Sequence, residues 1–254
     1  MPRESLDERA PATAGAPGHA PARRRGQASR RGIRMNGGLP AGVLLSAIEV
    51  AGTLAFALSG FIEATRKRMD IVGVAAVTFF AAFGGGTLRD LLLDRRPFFW
   101  VMHSGYVWAV LALVVVGWLW LHAARPTPPA WPMLWADAFG MGLFSASGAG
   151  MAWELGQPAI VCALMGVVTG VFGGVMRDVL CNEVPAIFRD HRPYAVCSFA
   201  GAWAFLAVAG VLGADWQALV AGIVVTAGMR LVALARDWRV PGWAGDADEQ
   251  RPRE

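Results

Sequence analysis

A repeat inside the chain restricts its fold more than any other feature of the sequence. From Glu49 to Phe99 the sequence recurs, without a gap, from Asp137 to Ile187. Gly52 meets Gly140, Phe56 meets Phe144, and Ser59-Gly60 meets Ser147-Gly148. Gly85-Gly86 then meets Gly173-Gly174, Arg89-Asp90 meets Arg177-Asp178, and Pro97 meets Pro185. Farther on, the same offset pairs His103 with His191 and Tyr106 with Tyr194. One register kept over so many positions marks a duplicated structural unit, which cannot be read as two unrelated stretches of helix.

What the repeat encloses is apolar. A helix needs about 20 apolar residues to cross the hydrocarbon of a bilayer, and seven segments qualify: 42 to 62, 70 to 93, 104 to 122, 134 to 154, 158 to 181, 195 to 213 and 215 to 236. The whole chain is 55% hydrophobic and 17% charged, with a mean hydropathy of +0.43, which is too apolar for an ordinary soluble globule. Acidic and basic residues balance between positions 35 and 235, so the net charge of +4 comes from the tails. A pI of 9.5 therefore argues poorly for nucleic-acid binding, whereas arginines beside a membrane can hold anionic lipid.

The fold class that follows is an all-α integral membrane protein. Residues 42–122 and 130–213 form three-helix repeats, and 215–236 is a seventh helix without a repeat partner. Three spans is an odd number, so the second copy enters the membrane from the opposite side and the repeats are inverted, with the working site where the halves meet. Residues 1–38 are rich in Pro, Ala, Gly and Arg, and are expected to be a disordered basic tail. Residues 237–254 read as a polar C-terminal tail. Outside the N-terminal tail, one side collects Arg66, Lys67, Arg68, Arg125, Arg189, Arg192, Arg236 and Arg239, and the other Arg95 and Arg96. The positive-inside rule then puts the C-terminus in the cytoplasm and the N-terminus outside, in a plasma (inner) membrane.

Enzymatic chemistry has no foothold in this sequence. His19, His103, His122 and His191 lack the spacing of a zinc site, and no nucleophile elbow, phosphate-binding loop or dinucleotide fingerprint occurs. No catalytic residue, metal or cofactor is expected. Cys162, Cys181 and Cys197 form no CxxC pair and read as small buried hydrophobes.

The residues that can carry transport cluster in two equivalent places. Gly84, Gly85 and Gly86 lie in the second span just before Arg89-Asp90, and Gly173 and Gly174 lie in the fifth just before Arg177-Asp178. Each glycine costs about 1 kcal/mol relative to alanine in a helix, and backbone groups released in lipid must find partners. Both helices are expected to break there and to aim carbonyl oxygens at a path for cations; close packing of small residues is the alternative. Neighbours on a helix point about 100° apart, so each arginine is expected to find its partner on another segment and not on the adjoining aspartate. Glu49 and Asp137, at equivalent positions, attract cations or pair with those arginines. Ser59 and Ser147 offer hydroxyls to the path, while Tyr106, Tyr194 and the two histidines shape the entry to the third and sixth spans.

The segments Gly84-Gly85-Gly86-Thr87-Leu88-Arg89-Asp90 and Gly173-Gly174-Val175-Met176-Arg177-Asp178 resemble the prokaryotic branch of the trimeric intracellular cation channel family, over residues 42 to 236. That branch is also described as containing glycine transporters. The resemblance implies a homotrimer with a pore in every subunit, lined by kinked second and fifth helices and passing monovalent cations, chiefly potassium. Glycine or a similar small zwitterion is the alternative substrate. Phe172 stands where the family pattern has the first glycine of the second triplet, which implies a gentler kink and unequal gates.

Overall fold

The structure, a computed structural model, describes residues 41–124, 128–189, 192–213 and 215–239. The chain divides into a unit of Met1–Arg31 and a unit of Gly32–Glu254, and every described residue belongs to the second. The expected disordered tail, His19, His191, the Arg125-Pro126-Thr127 link and most of the C-terminal tail lie outside the described residues.

Among the described residues all regular structure is helical. Seven helices are long: α1 (Ala41–Arg66), α2 (Ile71–Leu92), α4 (Gly105–Ala124), α5 (Ala130–Glu154), α6 (Ala159–Leu180), α8 (Ala195–Leu212) and α9 (Asp215–Ala235). They lie at the positions of the seven apolar segments. Two short helices, α3 (Phe99–Met102) and α7 (Ala186–Arg189), were not foreseen. By length and composition five helices can cross a membrane: the stretches Val43–Arg66, Ile71–Leu92, Ala159–Leu180, Ala195–Leu212 and Trp216–Ala235. Over Gly105–Leu121, α4 is apolar for a shorter stretch. Glycines, serines and Asp137 dilute α5, and these residues are buried by other helices, so they need no solubility in lipid.

Helix ends repeat along with helix interiors. After α2, Asp94 takes a left-handed conformation (φ 50°) and the Arg95 amide donates back to the Asp90 carbonyl; after α6, Asn182 (φ 56°) and Glu183 do the same toward Asp178. Asp and Asn tolerate this region because their short polar side chains bond locally. After α1 and α5 the equivalent positions are Arg68 (φ 56°) and Gly156 (φ 70°). The start of α2 is capped by Asp70, whose carboxylate accepts the Gly73 amide at 2.7 Å, whereas α6 begins after Pro158 without a side-chain cap.

Packing joins the halves. Each repeat brings its three long helices together, α1 with α2 and α4, and α5 with α6 and α8; across the repeats α1 packs on α5 and α2 on α6. A core cluster around Phe56, Met141, Phe144, Val171 and Tyr194 draws on both halves. The seventh helix packs on α5 and α8. Its small residues are used there: a Cβ on Gly222 would sit 3.1 Å from Ala146 and 3.2 Å from the Gly201 carbonyl, and Ala227 is buried beside Gly142. These small residues therefore pack within the subunit, while a Cβ on Gly228 would meet open space.

Candidate functional site: two buried arginine clusters

Each repeat buries one arginine, and around each arginine the fold gathers carboxylates and a serine from both halves. In the first cluster Arg89 of α2 is fully buried. Its Nε donates to Asp90 Oδ1 at 2.9 Å, and its Nη2 lies 2.8 Å from the same oxygen. Nη1 donates to Ser147 Oγ of α5 at 3.2 Å. Glu49 Oε1 of α1 stands 3.1 Å from Nη2, within ion-pair distance but not aligned for a hydrogen bond. The other oxygen of Asp90 accepts the Phe99 amide at the head of α3, at 3.0 Å.

The second cluster repeats this plan. Arg177 of α6 donates from Nε to Asp178 Oδ1 at 2.8 Å, and from Nη1 to Asp137 Oδ1 of α5 at 2.7 Å and to Ser59 Oγ of α1. Asp178 Oδ2 accepts the Ala186 amide at the head of α7, at 2.9 Å. Here the plan gains a member, because the Tyr194 hydroxyl reaches both oxygens of Asp137, at 3.0 and 2.9 Å. Thus each short helix turns a free amide toward an aspartate that also holds the arginine.

These contacts correct one expectation. Each arginine does pair with the aspartate next to it, because the long stem folds back along the helix and the planar guanidinium presents Nε and Nη2 together to one oxygen. The expected partners on other segments are present as well, since Glu49, Asp137, Ser59 and Ser147 all take part. Carboxylates gathered around a guanidinium in this way offset much of the cost of burying its charge in so apolar a setting.

A second correction concerns the glycines. Both α2 and α6 pass through their glycines as uninterrupted α-helices, so the expected interruption of the helical backbone is absent, and the glycines lie in close contact with neighbouring groups. A Cβ on Gly85 would lie 2.3 Å from the Thr169 carbonyl oxygen, and one on Gly173 would lie 2.7 Å from the Ala81 carbonyl oxygen. Thr169 and Ala81 are themselves repeat equivalents, so α2 and α6 cross symmetrically with backbone nearly touching backbone. Gly86 makes room for the Phe99 ring and Gly174 for the Tyr194 hydroxyl, while Gly84 faces the flexible Met176 at 3.2 Å.

The clusters lie apart along two shared helices. From the first to the second, α1 runs forward from Glu49 to Ser59, while α5 runs backward from Ser147 to Asp137; the two helices therefore pass the site in opposite directions. Ten residues of helix make the separation about 15 Å. Between them Phe56 and Phe144, fully buried repeat equivalents, meet with tilted rings and centroids 5.6 Å apart, and each seats its ring against a glycine of the other half, Gly140 and Gly52. Sequence reading gave these rings no role and gave Tyr194 only the shaping of a helix entry.

Surface charges add two ties outside the clusters. Lys67 pairs with Glu183, whose hydrogen bond pushes the lysine above its ordinary pKa. Arg192 donates to Asp237 at 3.0 and 2.6 Å, and this bond, with help from Arg239, holds the carboxyl below its usual range.

Comparison with known proteins fits this duplicated plan. The family model described as "Glycine transporter" matches twice, at residues 46–122 and 134–210. A UPF0126 membrane protein of Vibrio cholerae is 34% identical over 202 residues, 79% of this chain and 83% of its own. The UPF0126 inner membrane protein YadS of Escherichia coli K12 is 34% identical over 78% of this chain and 96% of its own. The solved trimeric intracellular cation channel orthologue from Rhodobacter sphaeroides superposes with a TM-score of 0.72 at 34% identity, covering 77% of this chain and all of that one. A structure described in work on conductance through such channels gives 0.68 at 31% identity, covering 78% of this chain and 96% of its own.

Proposed function

The chain belongs to the glycine transporter family, the prokaryotic branch of the trimeric intracellular cation channels, and on that premise we propose that it is a multi-pass membrane protein passing monovalent cations, chiefly potassium. The path runs within each subunit, between α1, α2, α5 and α6, in a 3+3 inverted repeat to which α9 is appended. Arg89, Asp90, Glu49 and Ser147 close it at one end, and Arg177, Asp178, Asp137 and Ser59 at the other. Gly84, Gly85, Gly86, Gly173 and Gly174 let the helices approach closely along it. Three subunits assemble, each with its own path, in the plasma membrane with the C-terminus in the cytoplasm.

The observation that carries this reading is the pairing of two buried clusters about 15 Å apart along antiparallel helices, with the Phe56–Phe144 ring pair between them. Both cluster guanidiniums, Arg89 and Arg177, are engaged by protein carboxylates, which fits a closed path. Four carboxylates remain to receive a cation when the arginines let go. The same groups, an arginine with acids, suit a zwitterion, and the family model's own description points to glycine as the second reading.

Purified protein in liposomes, assayed side by side for potassium flux and radiolabelled glycine uptake, separates the two. Potassium flux without glycine uptake is the expected result; saturable glycine uptake without potassium flux would replace the channel by a carrier. For orientation, Lys67→Cys should resist a membrane-impermeant thiol reagent in intact cells and Arg95→Cys should react. The reverse pattern would turn the molecule over. Native mass in nanodiscs should be three times the 27.0 kDa protomer.

A further inference from the structure

Arg230 belongs to neither cluster and is the deepest charge on α9. It is 2% exposed, in a helix otherwise apolar from Leu219 to Ala235 apart from Thr226. A buried arginine within a membrane span is costly unless something receives its charge. Among the described residues no carboxylate lies in ion-pair range of it, and its Nε has no hydrogen-bond partner. What does receive the charge is the ring of Tyr194, 4.5 Å from the guanidinium carbon, with the Pro193 carbonyl 3.5 Å from Nη1 at the long end of hydrogen bonding.

We propose that Arg230 is a positioning residue for the closed state of the second cluster: lying over the Tyr194 ring from α9, it keeps the phenol hydroxyl on Asp137, and so lets the seventh helix decide when that end of the path opens. This rests on the transport reading above.

Three observations converge on it. Tyr194 sits between the two groups, with its face under Arg230 and its hydroxyl on Asp137, which in turn holds Arg177. The segment that carries the tyrosine is tied a second time to this part of the chain, through Arg192 and Asp237, two residues beyond the end of α9. Charge is consistent too, since Asp137 and Asp178 face a single arginine, leaving one negative charge that Arg230 balances from outside the repeat. The first cluster has the same excess, and there the extra cation is Arg95, 3.8 Å from Asp90 and 44% exposed. Tyr106, the repeat equivalent of Tyr194, touches the His103 and Phe99 rings and carries no arginine on its face.

The test uses the full-length protein in planar bilayers. Arg230→Gln and Tyr194→Phe should each raise open probability several-fold at unchanged unitary conductance. The double variant should go no further than either alone, and Arg230→Lys, which keeps a cation over the ring, should stay near the parent. Tyr106→Phe should change nothing. Additive effects of Arg230→Gln and Tyr194→Phe, or no effect of Arg230→Gln in a particle of native mass, would overturn the proposal. If the parent protein passes no ion, the channel reading fails separately. The coupling is then read from thermal unfolding, where non-additive midpoint shifts of the two variants uphold the positioning contact and additive shifts remove it.

Discussion

At the first cluster Glu49 meets one guanidinium nitrogen off-axis and no tyrosine, and the nearby Arg95 is half in solvent. At the second, Asp137 accepts from Arg177 and from Tyr194 together, with Arg230 sealed behind the ring. Both clusters descend from one repeated plan of arginine, adjoining aspartate, cross-repeat serine and short-helix amide. The difference comes from Asp137 standing where the first repeat has Glu49, and from α9, which packs mainly on α5 and α8 of the second repeat. A shorter carboxylate brings its oxygens under the tyrosine, and a seventh helix supplies a cation where the other end has only a surface arginine. Duplication thus produced two similar closures of unequal strength.

Removing the arginines should expose that inequality most strongly. Arg177→Gln leaves Asp137 and Asp178 buried without their cation and is expected to cost about 3–5 kcal/mol. Arg89→Gln should cost about 1–3 kcal/mol, because Arg95 can close on Asp90 from 3.8 Å. Chemical denaturation in detergent measures both, and equal losses would break the comparison.

The tyrosines test the same asymmetry with one atom. Tyr194→Phe deletes a donor to a buried carboxylate and should cost about 1.5–3 kcal/mol, the range for hydrogen bonds to charged groups. Tyr106→Phe should fall within about 0.5 kcal/mol of the parent. Finding the two alike would place the stronger closure elsewhere.

Where the repeats are truly equivalent, substitution should be too. Gly85→Ala and Gly173→Ala each press a methyl group onto a carbonyl oxygen of the facing helix and should cost about 1–3 kcal/mol apiece, read as matched drops in thermal midpoint. A drop for one alone would show that the crossing of α2 and α6 is less symmetric than its contacts.

The smallest effect lies at the surface. Asp237 is half exposed, and its pKa is lowered by the bonds from Arg192 and Arg239. A lowered carboxylate pKa contributes stability above the ordinary aspartate value of about 3.9, and loses it as pH falls through the folded value. Unfolding midpoints of the parent and Asp237→Asn should therefore differ slightly at neutral pH and converge on acidification below that value. A gap that persists in acid would assign the tie to packing.

Read from residues alone, the chain already disclosed its seven long helices, because lipid-length apolar runs leave few other structures, and its duplication, because one offset pairs Gly85 with Gly173 and Arg89 with Arg177. It also singled out the ionisable side chains that the fold buries in the clusters, since an ionisable group in an apolar run is expensive enough to stand out. Only the tertiary structure decided how those groups are satisfied. Whether Arg89 folds back on Asp90 depends on rotamers and on a serine far along the chain in α5. Whether three glycines break a helix or seat one against another depends on how near the facing backbone comes, and a carbonyl 2.3 Å from a Cβ on Gly85 is a fact about α6, not about α2. The contact of Arg230 with Tyr194 escaped notice for the same reason: separated by one whole helix hairpin, the two acquire their joint meaning only where α8 and α9 fold together, and sequence spacing carries no record of a contact made across that distance.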